Sequence, residues 1–138
     1  MNPLRPVNVL LVEDEAGDIL LMRQTLAGEP IPISIHVAVD GKQAVEMLSQ
    51  DQLKPDVVIL DLKLPKLSGL GFLEGYRHNA PVVVFTSSSN IHDQQRALEL
   101  GAKEYIQKPL DLGEYTRIVS QIVRKWVLSR GDSTAASQ

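Results

Sequence analysis

The sequence contains no cysteine, few aromatic residues and no long apolar run. Without cysteine, disulfide bonds, thiolate chemistry and cysteine-based metal sites are excluded. Two Phe, three Tyr and one Trp leave few rings to enclose a flat aromatic cofactor. The longest apolar runs span about five residues, whereas a membrane-spanning helix needs roughly 20. Residues 1–8 do not resemble a signal peptide. We therefore expect a cytoplasmic protein with no membrane partner.

The composition is that of a folded chain. Hydrophobic residues make up 43% of the 138 residues and charged residues 22%, a balance that suits one globular domain. The net charge of -3 gives no overall attraction to nucleic acid, so no nucleic-acid partner is expected. We assign 1–129 to this domain and the small polar residues of 130–138 to a flexible C-terminal tail. Because so few residues follow the domain, we expect no DNA-binding output domain.

Apolar residues alternate along the chain between short runs and helical spacings. The short runs are rich in β-branched residues and predict five strands, at 7–12, 33–39, 57–60, 82–85 and 105–106. The segments between and after them predict five helices, at 15–27, after Asp40, at 70–78, after Asn90 and after Asp111. This alternation is typical of the α/β class, a doubly wound parallel sheet with helices on both faces.

Capping residues mark several of the predicted helix starts. Asp40 is followed three residues later by Gln43, and Asp111 by Glu114, which is the spacing of a capping box. The final helix then carries an apolar stripe that begins at Tyr115 and ends near Trp126. The stripe predicts a helix packed against the sheet, with an outer part that could serve a dimer.

Polar residues follow the predicted strands at the points where the strands end. They are Glu13, Asp14, Asp61, Thr86 and Lys108. Ligands of open parallel sheets bind at the carboxyl ends of the strands, so these side chains are expected to converge at one edge. Clustered carboxylates repel one another unless a cation is present, and all-oxygen ligands suit Mg²⁺. With a lysine and a hydroxyl for phosphoryl oxygens, the set suits phosphoryl transfer to a carboxylate.

Four motifs in order resemble the response-regulator receiver domain of two-component systems. They are VLLVEDE near the start, VVILDLKLP around Asp61, FTSS at Thr86 and YIQKP at Lys108. The resemblance implies a flavodoxin-like fold with strand order 2-1-3-4-5 and a phosphoryl group received from a sensor histidine kinase. A narrower resemblance, carried by VEDEAGDILLMRQTL and the final Arg-Lys-Trp, is to the small regulators paired with cyanobacterial phytochromes. It implies a bacterial phytochrome as the kinase.

The resemblance also implies a role for each site residue. Asp61 is expected to be the phosphoacceptor, with Thr86 and Lys108 contacting the phosphoryl oxygens. Mg²⁺ is expected to be held by Asp14, Asp61, the backbone carbonyl of Lys63, and Glu13 through water. Such a protein promotes its own phosphorylation and dephosphorylation but is not an enzyme with an independent substrate.

The resemblance extends to the way the signal leaves the site. Thr86 and the aromatic Tyr105 are expected to form a switch, with Ser87 as a secondary site residue. Pro109 matches a proline that is preceded by a cis peptide bond in the family. The expected output is a homodimer through the fourth helix, fifth strand and fifth helix, or binding of another partner.

Three alternative functions remain open at the level of sequence. A pseudo-receiver would bind partners without being phosphorylated. A flavodoxin-like carrier of flavin mononucleotide shares the strand and helix order, but Glu13 and Asp14 stand where its phosphate loop would lie. A hydrolase of the haloacid dehalogenase type needs a second Asp two residues after the nucleophile, where this chain has Lys63.

Overall fold

The computed structural model describes residues 6–50 and 53–136, with side chains as far as Trp126. The strands are β1 (Val7–Val12), β2 (Ile33–Ala38), β3 (Val57–Leu60), β4 (Val82–Thr86) and β5 (Glu104–Gln107). The helices are α1 (Ala16–Ala27), α2 (Gly41–Leu48), α3 (Gly69–Gly75), α4 (Ile91–Glu99) and α5 (Leu112–Ala136). Among the described helices, none is long and apolar enough to cross a bilayer.

The five strands form one parallel sheet in the order β2-β1-β3-β4-β5, which confirms the predicted fold class and strand order. Residues of β1 alternate between the two faces of this sheet. Leu10 and Val12 pack on the side of α2, α3 and α4, whereas Val7, Val9 and Leu11 pack on the side of α1 and α5. Because both faces are covered, the central strands are buried along their length.

The predicted caps form at the helix starts. The Asp40 carboxylate accepts a hydrogen bond from the Gln43 N–H at 2.7 Å, and the Asp111 carboxylate accepts one from the Glu114 N–H at 2.8 Å. The Asn90 side chain caps α4 in the same way. Each cap satisfies an N–H that has no partner within its helix, and so fixes where the helix begins.

Two helix ends differ from the sequence expectations. Helix α3 ends at Gly75 rather than at residue 78, because Tyr76 turns to an extended conformation and its hydroxyl donates to the Ala80 carbonyl at 2.7 Å. Helix α5 continues to Ala136, through most of the segment assigned to the tail. The flexibility of 130–138 stays a prediction, and residues 137–138 lie outside the described residues.

The expectation of a cis bond before Pro109 is wrong for this structure. No cis peptide bond occurs among the described residues, so the Lys108–Pro109 bond is trans. Trans remains the default for a bond before proline, by about 0.5–1 kcal/mol, and the expectation came from the family resemblance alone.

The start of α3 lies directly against the end of β3. A Cβ added to Gly69 would lie 2.5 Å from the backbone oxygen of Asp61 and 2.6 Å from the Cα of Leu62. The Gly69 N–H also donates to the Leu62 carbonyl at 3.1 Å, which holds the two segments together. Only glycine allows this approach without displacing the backbone that carries Asp61.

We therefore expect Gly69→Ala to lower the free energy of unfolding by about 1–3 kcal/mol, the usual cost of overpacking. Gly75→Ala in the same helix is the matched control, because a Cβ there would meet nothing within 4 Å. The control should be neutral or stabilising by at most about 1 kcal/mol. Urea denaturation of both variants measures the difference, and equal stabilities would contradict the close approach.

Candidate functional site

The strand order brings the polar residues at the strand ends together, as predicted. Glu13 follows β1, Asp61 follows β3, Thr86 ends β4 and Lys108 follows β5, and these four strands are neighbours in the sheet. The side chains are strongly buried, with 1% of Glu13, 6% of Asp61 and none of Thr86 exposed. The backbone contributes to this convergence, since the Lys108 N–H donates to the Thr86 carbonyl at 2.7 Å.

The Lys108 ammonium lies at the centre of the site and contacts carboxylates on three sides. Its Nζ is 2.7 Å from Glu13 Oε1, 3.2 Å from Asp61 Oδ2 and 3.3 Å from Asp18 Oδ2. The contacts with Glu13 and Asp61 are hydrogen bonds donated by the ammonium, whereas the contact with Asp18 is an ion pair. Although burial lowers the pKa of Lys108, the hydrogen bond to Glu13 and the charges of Glu13, Asp61 and Asp18 raise it above its usual value. Lys108 is therefore positively charged.

The second oxygen of Asp61 is held from the other side. Asp61 Oδ1 accepts hydrogen bonds from the Thr86 hydroxyl at 2.7 Å and from the Lys63 N–H at 3.2 Å. Both oxygens of the carboxylate are thus fixed, one by a cation and one by neutral donors. The expected role of the Lys63 carbonyl as a metal ligand stays a prediction.

Glu13, Asp14 and Asp61 form a group that could hold a metal ion. One oxygen from each carboxylate lies within 4.8 Å of the others, and Asp14 is exposed, which leaves a route for an ion from solvent. Burial, with the charge of Asp61, raises the pKa of Glu13 to about 7, although the hydrogen bond from Lys108 lowers it. A hard divalent cation such as Mg²⁺ would favour the charged form of this buried carboxyl, so the donor set fits the ion.

Asp18 and Tyr115 belong to the same cluster and were missed in the sequence. Asp18 lies in the first turn of α1, and its Oδ1 accepts a short hydrogen bond from the Tyr115 hydroxyl of α5. Burial and the neighbouring Asp18 carboxylate raise the pKa of Tyr115 far above its usual value, which keeps its hydroxyl protonated. The spacing of four residues between Asp14 and Asp18 was an available signal, but Tyr115 was assigned only to the apolar stripe.

Tyr105 and Ser87, also singled out in the sequence, lie at the edge of this site. The Tyr105 hydroxyl donates to the Ser88 carbonyl at 2.8 Å, which connects β5 to the loop between β4 and α4. Ser87 is exposed in that loop, whereas Ser88 is buried and its hydroxyl donates to Asp93 at 2.9 Å. Tyr105 is thus a half-buried residue whose contact is with the loop that follows Thr86.

Comparison with known proteins assigns the family. The family model described as the response regulator receiver domain matches residues 9–120, which is most of the chain. The chain belongs to the response regulator receiver domain family. This assignment confirms the resemblance found in the sequence.

Curated relatives carry this receiver domain as part of longer proteins. The chain is 30% identical over 131 residues to the sensor histidine kinase CheAY of Helicobacter pylori, covering 91% of this chain and 16% of that protein. It is 39% identical over 105 residues to protein-glutamate methylesterase/protein-glutamine glutaminase 1 of Myxococcus xanthus, covering 75% and 30%. The chain therefore spans less than a third of the length of each.

This chain matches two solved structures over nearly the whole length of each. The phosphorylated cyanobacterial phytochrome response regulator RcpA has a TM-score of 0.84 at 31% identity, covering 89% of this chain and 95% of that one. The Mn²⁺-bound form of the response regulator Rcp1 has a TM-score of 0.80 at 31% identity, covering 88% and 94%. These similarities extend across the receiver fold and include a protein with a divalent metal bound.

If the carboxylates hold a divalent ion, Mg²⁺ will stabilise the folded protein. At ten times the dissociation constant we expect about 1.4 kcal/mol of added stability, because the ion binds only the folded chain. Asp14→Asn removes one ligand charge at the exposed end of the group and should reduce this gain. Thermal unfolding with and without Mg²⁺ measures it, with the exposed Glu46→Gln of α2 as the control that should respond like the wild type. An equal gain in Asp14→Asn would argue against this ligand set.

Proposed function

We propose that the receiver domain accepts a phosphoryl group from a sensor histidine kinase on Asp61. The observation that carries the proposal is the pair of contacts on this buried carboxylate, Lys108 at 3.2 Å and Thr86 at 2.7 Å, beside a group of carboxylates suited to Mg²⁺. A carboxylate in such surroundings is oriented as a nucleophile, and the donors that fix it can stabilise the phosphoryl oxygens that arrive.

The chemical step is a transfer between two nucleophiles. A carboxylate oxygen of Asp61 forms a bond to phosphorus as the bond between phosphorus and the imidazole nitrogen of the kinase breaks. The imidazole leaves with that electron pair as a neutral ring, because its other nitrogen carries a proton. Lys108 provides a positive charge and Thr86 a hydroxyl donor for the phosphoryl oxygens. Asp14, Asp61, the Lys63 carbonyl and, through water, Glu13 would hold Mg²⁺. When bound, the ion supplies charge neutralisation between the carboxylates and the phosphoryl oxygens.

Acetyl phosphate with Mg²⁺ tests the acceptor directly, because it replaces the kinase as donor. We expect intact-mass measurement to detect one added phosphoryl group on the wild type and on Glu46→Gln, and none on Asp61→Asn. Omission of Mg²⁺ should also abolish the addition. No added mass on the wild type under any condition would contradict the proposal and favour the pseudo-receiver, whose signal would come from binding alone.

The similarity to RcpA, a cyanobacterial phytochrome response regulator, favours a phytochrome as the partner kinase. With such a kinase as the phosphoryl donor, the stimulus would be light. Phosphoryl transfer from a phytochrome kinase to this chain, compared with transfer from an unrelated kinase, would test the pairing.

The proposed output is a homodimer formed through α4, β5 and α5 after phosphorylation. Movement of Thr86 toward a phosphoryl group would remove its hydroxyl from Asp61 and alter the loop that Tyr105 holds through Ser88.

Exposed apolar residues are available on α4, where Ile91 is 56% and Leu98 is 44% exposed. Ala97 packs inward and Arg96 pairs with Glu74 of α3. Since successive helical residues are about 100° apart, Leu98 lies on the flank away from α3.

Beryllofluoride, which mimics the phosphoryl group, allows the dimer to be tested. We expect analytical ultracentrifugation to detect dimerisation of the wild type with beryllofluoride and Mg²⁺. Leu98→Gln should weaken the dimer about tenfold or more, because it removes a leucine that the proposed interface would bury. Leu20→Gln is the control, because Leu20 is 57% exposed on α1, which packs on the opposite face of the sheet from α4. Equal effects of the two substitutions would contradict the proposed interface.

A further inference from the structure

Asp18 and Tyr115 form a second connection to the site that the proposed phosphoryl transfer does not use. Asp18 bridges two groups: its Oδ2 lies 3.3 Å from Lys108 Nζ, and its Oδ1 accepts a hydrogen bond from the Tyr115 hydroxyl. Its side chain is only 20% exposed. The bridge joins residues of α1 and α5 to the lysine at the end of β5, on the side of the sheet that these two helices cover.

Tyr115 is itself firmly held. It is 6% exposed, and its ring packs edge-on against Phe85 with centroids 5.1 Å apart. Phe85 directly precedes Thr86 in β4. The hydroxyl therefore projects from a rigid part of the core, and it fixes the carboxylate of Asp18 in one orientation.

The orientation of the Asp18 carboxylate affects the position of the Lys108 ammonium. The ammonium donates hydrogen bonds to Glu13 and Asp61, and the Asp18 carboxylate attracts it from a third side as an ion pair at 3.3 Å. Lysine has a flexible four-carbon side chain, so its ammonium is located only as well as its partners are. If Asp18 were free to rotate, one of the two contacts that fix the ammonium relative to Asp61 would be lost.

We propose that Asp18 and Tyr115 are positioning residues, which hold the Lys108 ammonium in place for a phosphoryl group on Asp61. The inference rests on the proposed function and adds to it a tyrosine of α5 that touches no reacting atom. Tyr115 acts through Asp18 and Asp18 through Lys108. The geometric alignment of the lysine thus depends on the packing of α5 against Phe85.

Tyr115→Phe removes the hydroxyl, retains the ring that packs on Phe85 and changes no charge. We expect the rate constant of phosphorylation at saturating acetyl phosphate and Mg²⁺ to fall about threefold to tenfold, as for the loss of one hydrogen bond. Tyr76→Phe is the matched control, because its hydroxyl donates to the Ala80 carbonyl away from the site. This control should retain the wild-type rate. An unchanged or increased rate in Tyr115→Phe would overturn the proposal.

A second variant separates positioning from a general effect on the core. Asp18→Ala removes the carboxylate through which Tyr115 acts, so Tyr115→Phe should have no further effect on the rate in that background. If Tyr115 mattered only for packing, its substitution would slow the reaction by the same factor in both backgrounds. Equal factors would therefore overturn the proposed chain of contacts.

A readout independent of phosphorylation tests the same contacts. Nitrogen-15 NMR of labelled lysine can follow proton exchange between the Lys108 ammonium and water, with the signal assigned by its loss in Lys108→Arg. We expect exchange about threefold faster or more in Tyr115→Phe, and wild-type exchange in Tyr76→Phe. Unchanged exchange would overturn the positioning role. If the wild type accepted no phosphoryl group but exchange still responded, the proposed function would fail and the positioning of Lys108 would stand.

Discussion

The buried ammonium of Lys108 is the interaction on which the arrangement of the site depends. Glu13 and Asp61 are nearly inaccessible to water, and two carboxylates placed so close together would be strongly destabilising without a cation. Lys108 contacts both, and its own charge is in turn stabilised by them. Within the described ranges, no buried side-chain nitrogen or oxygen lacks a hydrogen-bond partner. The site is therefore one connected cluster of charges, in which carboxylates outnumber the ammonium, rather than a row of separate polar residues.

The order of the strands makes this cluster possible. Because β1, β3, β4 and β5 are consecutive neighbours, the residues at their ends lie within reach of one another. The helices on the two faces then hold different parts of the cluster. Tyr115 approaches from the layer of α1 and α5, whereas Tyr105 contacts the loop that leads to α4. Asp61 thus contacts both Lys108 and Thr86, and these two residues connect it to opposite faces of the sheet.

Much of the fold and of the site follows from the sequence, because strands buried on both faces give unmistakable apolar runs. The residue after each run marks the edge of the sheet, which is how Glu13, Asp61 and Lys108 were found. Asp18 and Tyr115 were not found, since their contact depends on how α1 and α5 are rotated against each other. The trans bond before Pro109 is the ordinary local preference, and the cis expectation came from the family resemblance rather than from the residues themselves.

The charged residues of the site lie far apart along the chain, so the ribosome makes them at different times. Glu13 precedes Lys108 by 95 residues, and the acids of the cluster all emerge from the ribosome before their lysine does. Domains fold as units during synthesis, and here the ammonium of Lys108 cannot join the carboxylates until β5 has been added. A nascent chain that stops after β4 holds the acids without their counter-ion. Addition of β5, with Lys108 directly after it, is thus the step at which the acidic edge of the sheet acquires its internal cation.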